Sequence, residues 1–195
     1  MQHQNRKSNK DRTQATRAQL IGAARELFIE GGYAETGTPA IVKKAEVTRG
    51  ALYHHFADKA DLLVAVLAEE AQAVATSISA QGDENSPLQS LKDGSKAYIE
   101  AMQKPGRTRL LLEIGPAILG MAKMREIDNN SAHQTLVEGL KLASKGSDTN
   151  VKNTEILADL LSAAFDRAAI AISEGGDPTL YLKAMEQLIE ISLPH

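Results

Sequence analysis

Ile41-Val42-Lys43-Lys44-Ala45-Glu46-Val47-Thr48-Arg49-Gly50-Ala51-Leu52-Tyr53-His54-His55-Phe56 is the stretch that decides the fold. It reads as two short helices, Pro39 to Ala45 and about Arg49 to His55, separated by a tight turn. Small Ala45 lets the helices approach, and Ile41, Val47 and Leu52 supply the apolar contacts that set their angle, as a helix-turn-helix requires. Thr38-Pro39 is a start signal for the first helix, because a threonine oxygen can cap an orphan amide and proline costs nothing at the first helical position. Thr48 is placed to cap the second. The outer face of that second helix then carries Thr48, Arg49, Gly50, Tyr53 and His54. A cation, hydroxyls and an imidazole there suit base edges and phosphates in a major groove.

Outward from this stretch the chain reads as all-α. Residues 14–30 carry Leu20, Ile21, Ala24, Leu27 and Phe28 at helical spacing, with Gly31-Gly32 as the stop. Asp58 can cap a long helix from Lys59 to about Ala80. The polar run Gln81 to Pro87 is the strongest linker signal. Further helices are predicted over Leu88–Gln103, Gly106–Glu113, Pro116–Ser144, Val151–Glu174 and Thr179–Ser192, with breaks at Lys104-Pro105, Gly115-Pro116, Lys145 to Asp148 and Gly175 to Pro178. The expected organisation is a basic, disordered tail (1–13), a helix-turn-helix domain (14–58, motif about 37–56), a connecting helix (59–80) and a regulatory and dimerisation domain (81–195).

The net charge of −3 argues against a nucleic-acid partner until its distribution is seen. Residues 1–60 hold ten Lys and Arg against six acids, whereas residues 61–195 hold twelve against nineteen, so the basic end is where a polyanion belongs. Among the tail basics, Arg6, Lys7, Lys10 and Arg12 could reach a DNA backbone or simply solubilise the tail. The chain has no cysteine, which removes disulfides, thiolate metal sites and cysteine nucleophiles. No secretory leader or run of about 18 apolar residues is evident, and a cytoplasmic protein without a membrane partner is expected.

The pattern Ala-x-Val-Thr-Arg-Gly-Ala-Leu-Tyr-His-His-Phe-x-x-Lys-x-x-Leu-Leu, Ala45 to Leu63, resembles the DNA-binding segment of TetR/AcrR-family regulators, as does Ala23 to Tyr33. Together these cover 30 of the 195 residues, about 15% of the chain. The resemblance implies a two-domain helical repressor that binds a near-palindromic operator as a homodimer and lets go when a small-molecule effector binds. It implies phosphate contacts by Thr38, Tyr53, His54 and Lys59 and base contacts by Arg49 and Gly50; Thr48 and Lys43 complete the set of DNA-facing candidates. Lys59 lies in the first turn of its helix, where the macrodipole disfavours a cation, so a phosphate partner would explain it. A weaker likeness to a regulatory half runs over Arg109 to Asp128. One position departs from the family pattern. Glu46 stands where glycine is usual, and a positive φ there would cost about 1 kcal/mol relative to glycine.

The regulatory half offers Tyr98, Met102, Leu111, Ile114, Ile118, Met121, Met124 and Phe165 as candidate lining for an apolar ligand, methionine being suited to adaptable binding. Arg107, Arg109, Glu113 and Asp166 are the polar candidates. Two apolar stripes, represented by Leu157, Leu160, Ala164 and Ala168 and by Leu180, Ala184, Leu188 and Ile191, predict a helical hairpin that pairs with its copy in a four-helix dimer interface. Adjacent His54 and His55 point about 100° apart and make a poor metal pair. His133 and His195 stand alone, and His3 lies in the tail. No nucleophile with a base, paired acid system, metal cluster or phosphate-binding glycine loop is assembled, so no cofactor is expected and an enzyme is the least favoured class. A nonspecific DNA-architectural protein is the nearer alternative.

Overall fold

The computed structural model describes residues 9–80, 86–129, 132–144 and 151–193. The expectations for His3, Arg6, Lys7, most of the 81–87 linker, the 145–148 break and His195 fall outside them. Among the described residues every regular element is helical: α1 (Asn9–Glu35), α2 (Thr38–Lys44), α3 (Arg49–His55), α4 (Lys59–Ser79), α5 (Pro87–Met102), a π-helical turn (Arg109–Ile114), α6 (Gly115–Leu119), α7 (Met121–Asn129), α8 (Ala132–Ala143), α9 (Val151–Ser173) and α10 (Pro178–Ser192). The chain divides into two compact units, Met1–Ala68 and Glu69–His195. The division falls within α4 and not at the polar 81–87 run.

In the first unit α1, α2 and α3 pack around Leu20, Phe28, Ile41, Leu52, Leu62 and Leu63, all fully buried. Burial of such side chains, at about 1.5–3 kcal/mol each, is what holds α2 and α3, two seven-residue helices that could not persist alone. Helix α1 begins at Asn9, so Lys10 and Arg12 of the expected tail are helical. It runs past Gly31 and kinks at Gly32, whose φ of 78° and ψ of 169° leave the helical region. The Thr36 hydroxyl lies 2.7 Å from Gly32 O and 3.1 Å from Leu27 O, ending the helix by bonding its carbonyls.

The turn between α2 and α3 is a Schellman closure. Val47 N–H donates to Val42 O at 3.1 Å and Glu46 N–H to Lys43 O at 3.3 Å, with Glu46 in the left-handed C′ position at φ 54°. Glu46 is the one non-glycine residue with positive φ among those described. The same motif ends α9, where Gly176 N–H donates to Ala171 O and Gly175 N–H to Ile172 O, and there the C′ residue is glycine with φ 104°. The strain read from sequence at Glu46 is therefore present. Glu46→Gly removes it, against the larger entropy loss of glycine on folding, and should raise the melting temperature by about 1–3 °C. Calorimetry that showed a fall would mean the glutamate side chain stabilises the turn.

In the second unit α5, α8, α9 and α10 enclose a core of Leu91, Val137, Leu140, Ala158, Leu161, Phe165, Ala168, Met185 and Ile189. Two expectations fail between α5 and α8. The chain does not break at Gly115-Pro116: the π-helical turn runs directly into α6, with Pro116 at its second position. Nor is Pro116–Ser144 one helix. Gly120, with φ 79°, separates α6 from α7, and residues 130–131 separate the described parts of α7 and α8.

Helix α4 is long and apolar enough by composition to cross a membrane, but half of that stretch is buried inside the protein. Its Glu70 makes a buried ion pair at 2.6 Å with Arg107, which marks the helix as a core element.

Candidate DNA-binding face and ligand cavity

Helix α3 owes its start to Thr48, whose Oγ1 accepts from Ala51 N–H at 3.1 Å in the expected N-cap geometry. Ala45, Ile41 and Leu52 are buried and Val47 is half-buried, so the apolar residues of the motif face inward as their spacing required. Arg49, Gly50, Tyr53 and His54 are left exposed on the other side of α3, and Lys43 is exposed on α2. The Arg49 guanidinium lies 5.5 Å from the Tyr53 ring centroid. Hydrogen bonds from Thr38 and then Arg49 hold the Tyr53 phenol below its ordinary pKa. Thr38, Arg49 and Tyr53 thus form one small cluster of donors, partly pre-ordered for an anionic partner.

Thr38 does not cap α2. It occupies the first turn behind Gly37, the N-cap, which offers no side-chain bond, and its hydroxyl turns to Tyr53. Lys59 also differs from expectation. Its ammonium donates to Tyr33 O at 2.9 Å and Thr36 O at 3.0 Å and lies 4.1 Å from the Tyr33 ring centroid. The cation that looked misplaced at the start of α4 closes the carbonyl end of α1, a favourable macrodipole position, so no phosphate is needed to account for it. The start of α4 is held separately: Asp61 N–H donates to Asp58 Oδ1 at 2.8 Å, and Ala57 N–H to Asp61 Oδ2 at 3.0 Å. Lys44 is committed to Glu26 of α1 at 2.7 Å. Arg17, not singled out from sequence, lies over the Phe56 ring at 5.3 Å and adds its charge to that of His54 beside His55, whose pKa is depressed first by burial.

The second unit contains a cavity of about 470 Å³. Of the eight apolar candidates, Tyr98, Met102, Leu111, Met121, Met124 and Phe165 line it. Ile114 and Ile118 do not: Ile114 is half-buried elsewhere, and Ile118 is 42% exposed on α6. The π-helical turn shifts the angular phase of the residues after it, so a simple 3.6-residue stripe misplaces them. Of the polar candidates only Asp166 reaches the cavity. Arg109 and Glu113 are exposed and Arg107 is buried against Glu70. Asp128 and His133 line it as well, and no local pattern could have found them, because α7, α8 and α9 bring them together only in three dimensions.

Tyr98 Oη donates to Asp166 Oδ1 at 2.8 Å, and the Tyr98 and Phe165 rings meet at 5.2 Å. Burial raises the Asp166 carboxyl to about 6, opposed by the Tyr98 bond and reinforced by Asp128. Burial likewise raises Asp128, against the opposing pull of His133.

The apolar face left outside this unit is narrower than expected. Ile156 and Leu160 on α9 and Leu180, Leu188 and Ile191 on α10 are exposed, Leu160 at 64% and Ile191 at 78%, and Ala184 is exposed beside them. Ala168, by contrast, is only 3% exposed in the core, and Leu157 and Ala164 pack against that core. The outer stripe of α9 is offset by about 100° from theirs.

Residues 20–66 match the profile of bacterial regulatory proteins of the tetR family, and residues 88–193 match the tetracyclin repressor-like C-terminal domain. The chain is 34% identical over 90 residues to the A-factor receptor protein of Streptomyces griseus, a match covering 46% of this chain and 31% of that protein. It is 36% identical over 107 residues to the HTH-type transcriptional regulator TtgR of Pseudomonas putida, covering 54% and 51%. The chain spans about half or less of the length of these curated relatives. A tetR-family transcription regulator of Shewanella shares the fold, with a TM-score of 0.72 at 19% identity over 89% of this chain and 95% of that one. With both units matched by the family's two domains, this chain belongs to the tetR family of bacterial regulatory proteins.

Proposed function

We propose that the protein is a cytoplasmic, sequence-specific DNA-binding repressor that acts as a homodimer and is released from a near-palindromic operator by a small molecule held in the second-unit cavity. The observation that carries this reading is the Thr48-capped helix α3, with Arg49, Gly50, Tyr53 and His54 exposed and pre-ordered beside Thr38. Selection of bound sequences from random duplex DNA should yield a two-fold symmetric site. Arg49→Ala should weaken binding to that site by about tenfold or more and relax preference at one position of each half-site, as loss of a base contact does. Enrichment of no sequence would favour the architectural alternative.

The exposed stripes of α9 and α10 support the dimer, because a hairpin cannot cover such faces alone and a two-fold copy can. The double variant Leu160→Glu, Ile191→Glu should be monomeric by light scattering. With only one half-site engaged at a time, it should bind operator about 100-fold more weakly. A variant that stayed dimeric would place the interface elsewhere.

A further inference from the structure

Asp166 lines the cavity, and among the described residues no cationic side chain is paired with it. Its carboxylate accepts from Tyr98 Oη at 2.8 Å, and the other charge acting on it is a second carboxylate, Asp128. Asp128 has a partial offset in His133, whose backbone N–H reaches it. Arg125 and Glu138 also line the cavity, but both are exposed and opposite in sign. The rest of the lining combines adaptable apolar side chains, among them Leu111, Met121, Met124 and Phe165, with a few neutral hydroxyls such as Ser162 and Thr135. A carboxylate in such surroundings is penalised unless an opposite charge joins it.

We propose that the ligand of this cavity is an apolar organic cation, its charged centre set on Asp166 and Asp128 and its body against Met121, Met124, Leu111 and Phe165. This deepens the reading of the cavity as an effector site and rests on it. The volume of about 470 Å³ suits a drug-sized molecule. The Tyr98 and Phe165 rings, tilted at 57° to one another, present aromatic surface of the kind that attracts a cation. An anion would meet two carboxylates. A metal ion matches less well, because no group of three or more His, Cys, Asp or Glu is gathered among the described residues. Methionine walls add tolerance of shape, so charge and apolarity select the guest more than outline does.

The test uses two probes of similar apolar body, tetraphenylphosphonium, which is permanently cationic, and triphenylphosphine oxide, which is neutral, titrated calorimetrically into the full chain. The phosphonium should bind saturably, once per chain, and at least about tenfold more tightly than the oxide. Asp166→Asn should cut phosphonium affinity by about tenfold or more and leave the oxide unchanged, and Asp128→Asn should act in the same direction. Equal binding of the two probes, no saturable phosphonium binding, or wild-type phosphonium affinity in both variants would overturn the proposal. Operator release is read separately. Asp166-dependent phosphonium binding that leaves DNA affinity unchanged would refute the effector role and leave the cation assignment standing; DNA release by the oxide alone would do the reverse.

Discussion

Replacing Arg107 with methionine should lower the melting temperature by roughly 6–12 °C, the largest loss expected of any single substitution considered for this chain. Arg107 and Glu70 are each only 5% exposed, and the guanidinium Nε donates to Glu70 Oε2 at 2.6 Å. Its Nη1 donates to Ala101 O at 2.7 Å, satisfying a carbonyl in the last turn of α5, while Thr108 Oγ1 donates to Met102 O at 3.0 Å beside it. One side chain therefore neutralises a buried acid and helps finish a helix. Truncating one partner of such a pair costs about 3–5 kcal/mol because the other charge stays buried. The lower end applies here, since Lys104 still reaches Glu70 Oε1 at 3.1 Å from a half-exposed position. Adding Glu70→Leu to Arg107→Met should recover most of the loss, because the cost lies in the stranded charge more than in the missing bond. Urea unfolding of the single and double variants separates the two. A single variant within about 1 °C of wild type would show that water reaches Glu70 in solution.

The sequence disclosed what depends on neighbours close along the chain. Thr48 and Asp58 cap the helices they precede, the inward set Ile41, Ala45 and Leu52 is buried, and Glu46 adopts the strained conformation its position implied. Each is decided within a turn or two of backbone. Lys59 shows where that reach ends. Its first-turn position suggested a phosphate, yet its partners are carbonyls 26 and 23 residues earlier, which only the packing of α1 against the start of α4 supplies.

The cavity was half legible for the same reason. Tyr98, Met102 and Phe165 lie on regular helices and keep their phase, whereas Ile114 and Ile118 come within or after a π-helical turn that no composition rule marks. Alanine gave no help on α9, where Ala163 faces out and Ala168 faces the core, because a methyl group is compatible with either side. Asp166 could be named from sequence as a polar candidate, but its meaning depends on Tyr98 and Asp128, which lie 68 and 38 positions away.

Asp166→Asn should act in the opposite direction from Arg107→Met and raise the stability of the ligand-free protein at pH 7.5. Its folded pKa, about 6, lies above its unfolded value of 3.8, so the folded chain holds the proton more tightly between them. The stability this proton contributes is fully present below about pH 4 and is lost as pH rises through about 6, a difference of roughly 3 kcal/mol. Asparagine cannot ionise, and its Oδ1 can still accept from the Tyr98 hydroxyl, so the variant escapes the loss without breaking the bond. The expected gain in melting temperature is therefore near zero at pH 4 and roughly 6–12 °C at pH 7.5. Comparing variant with wild type at each pH cancels the titration of groups that do not feel Asp166; Asp128, which does, adds to the same pH-dependent shift. An equal shift at both pH values would mean that Asp166 does not titrate in this range and that its burial carries no charge penalty. If the shift does grow with pH, the wild-type chain retains a destabilising carboxylate in its cavity, and a bound cation is what would relieve it.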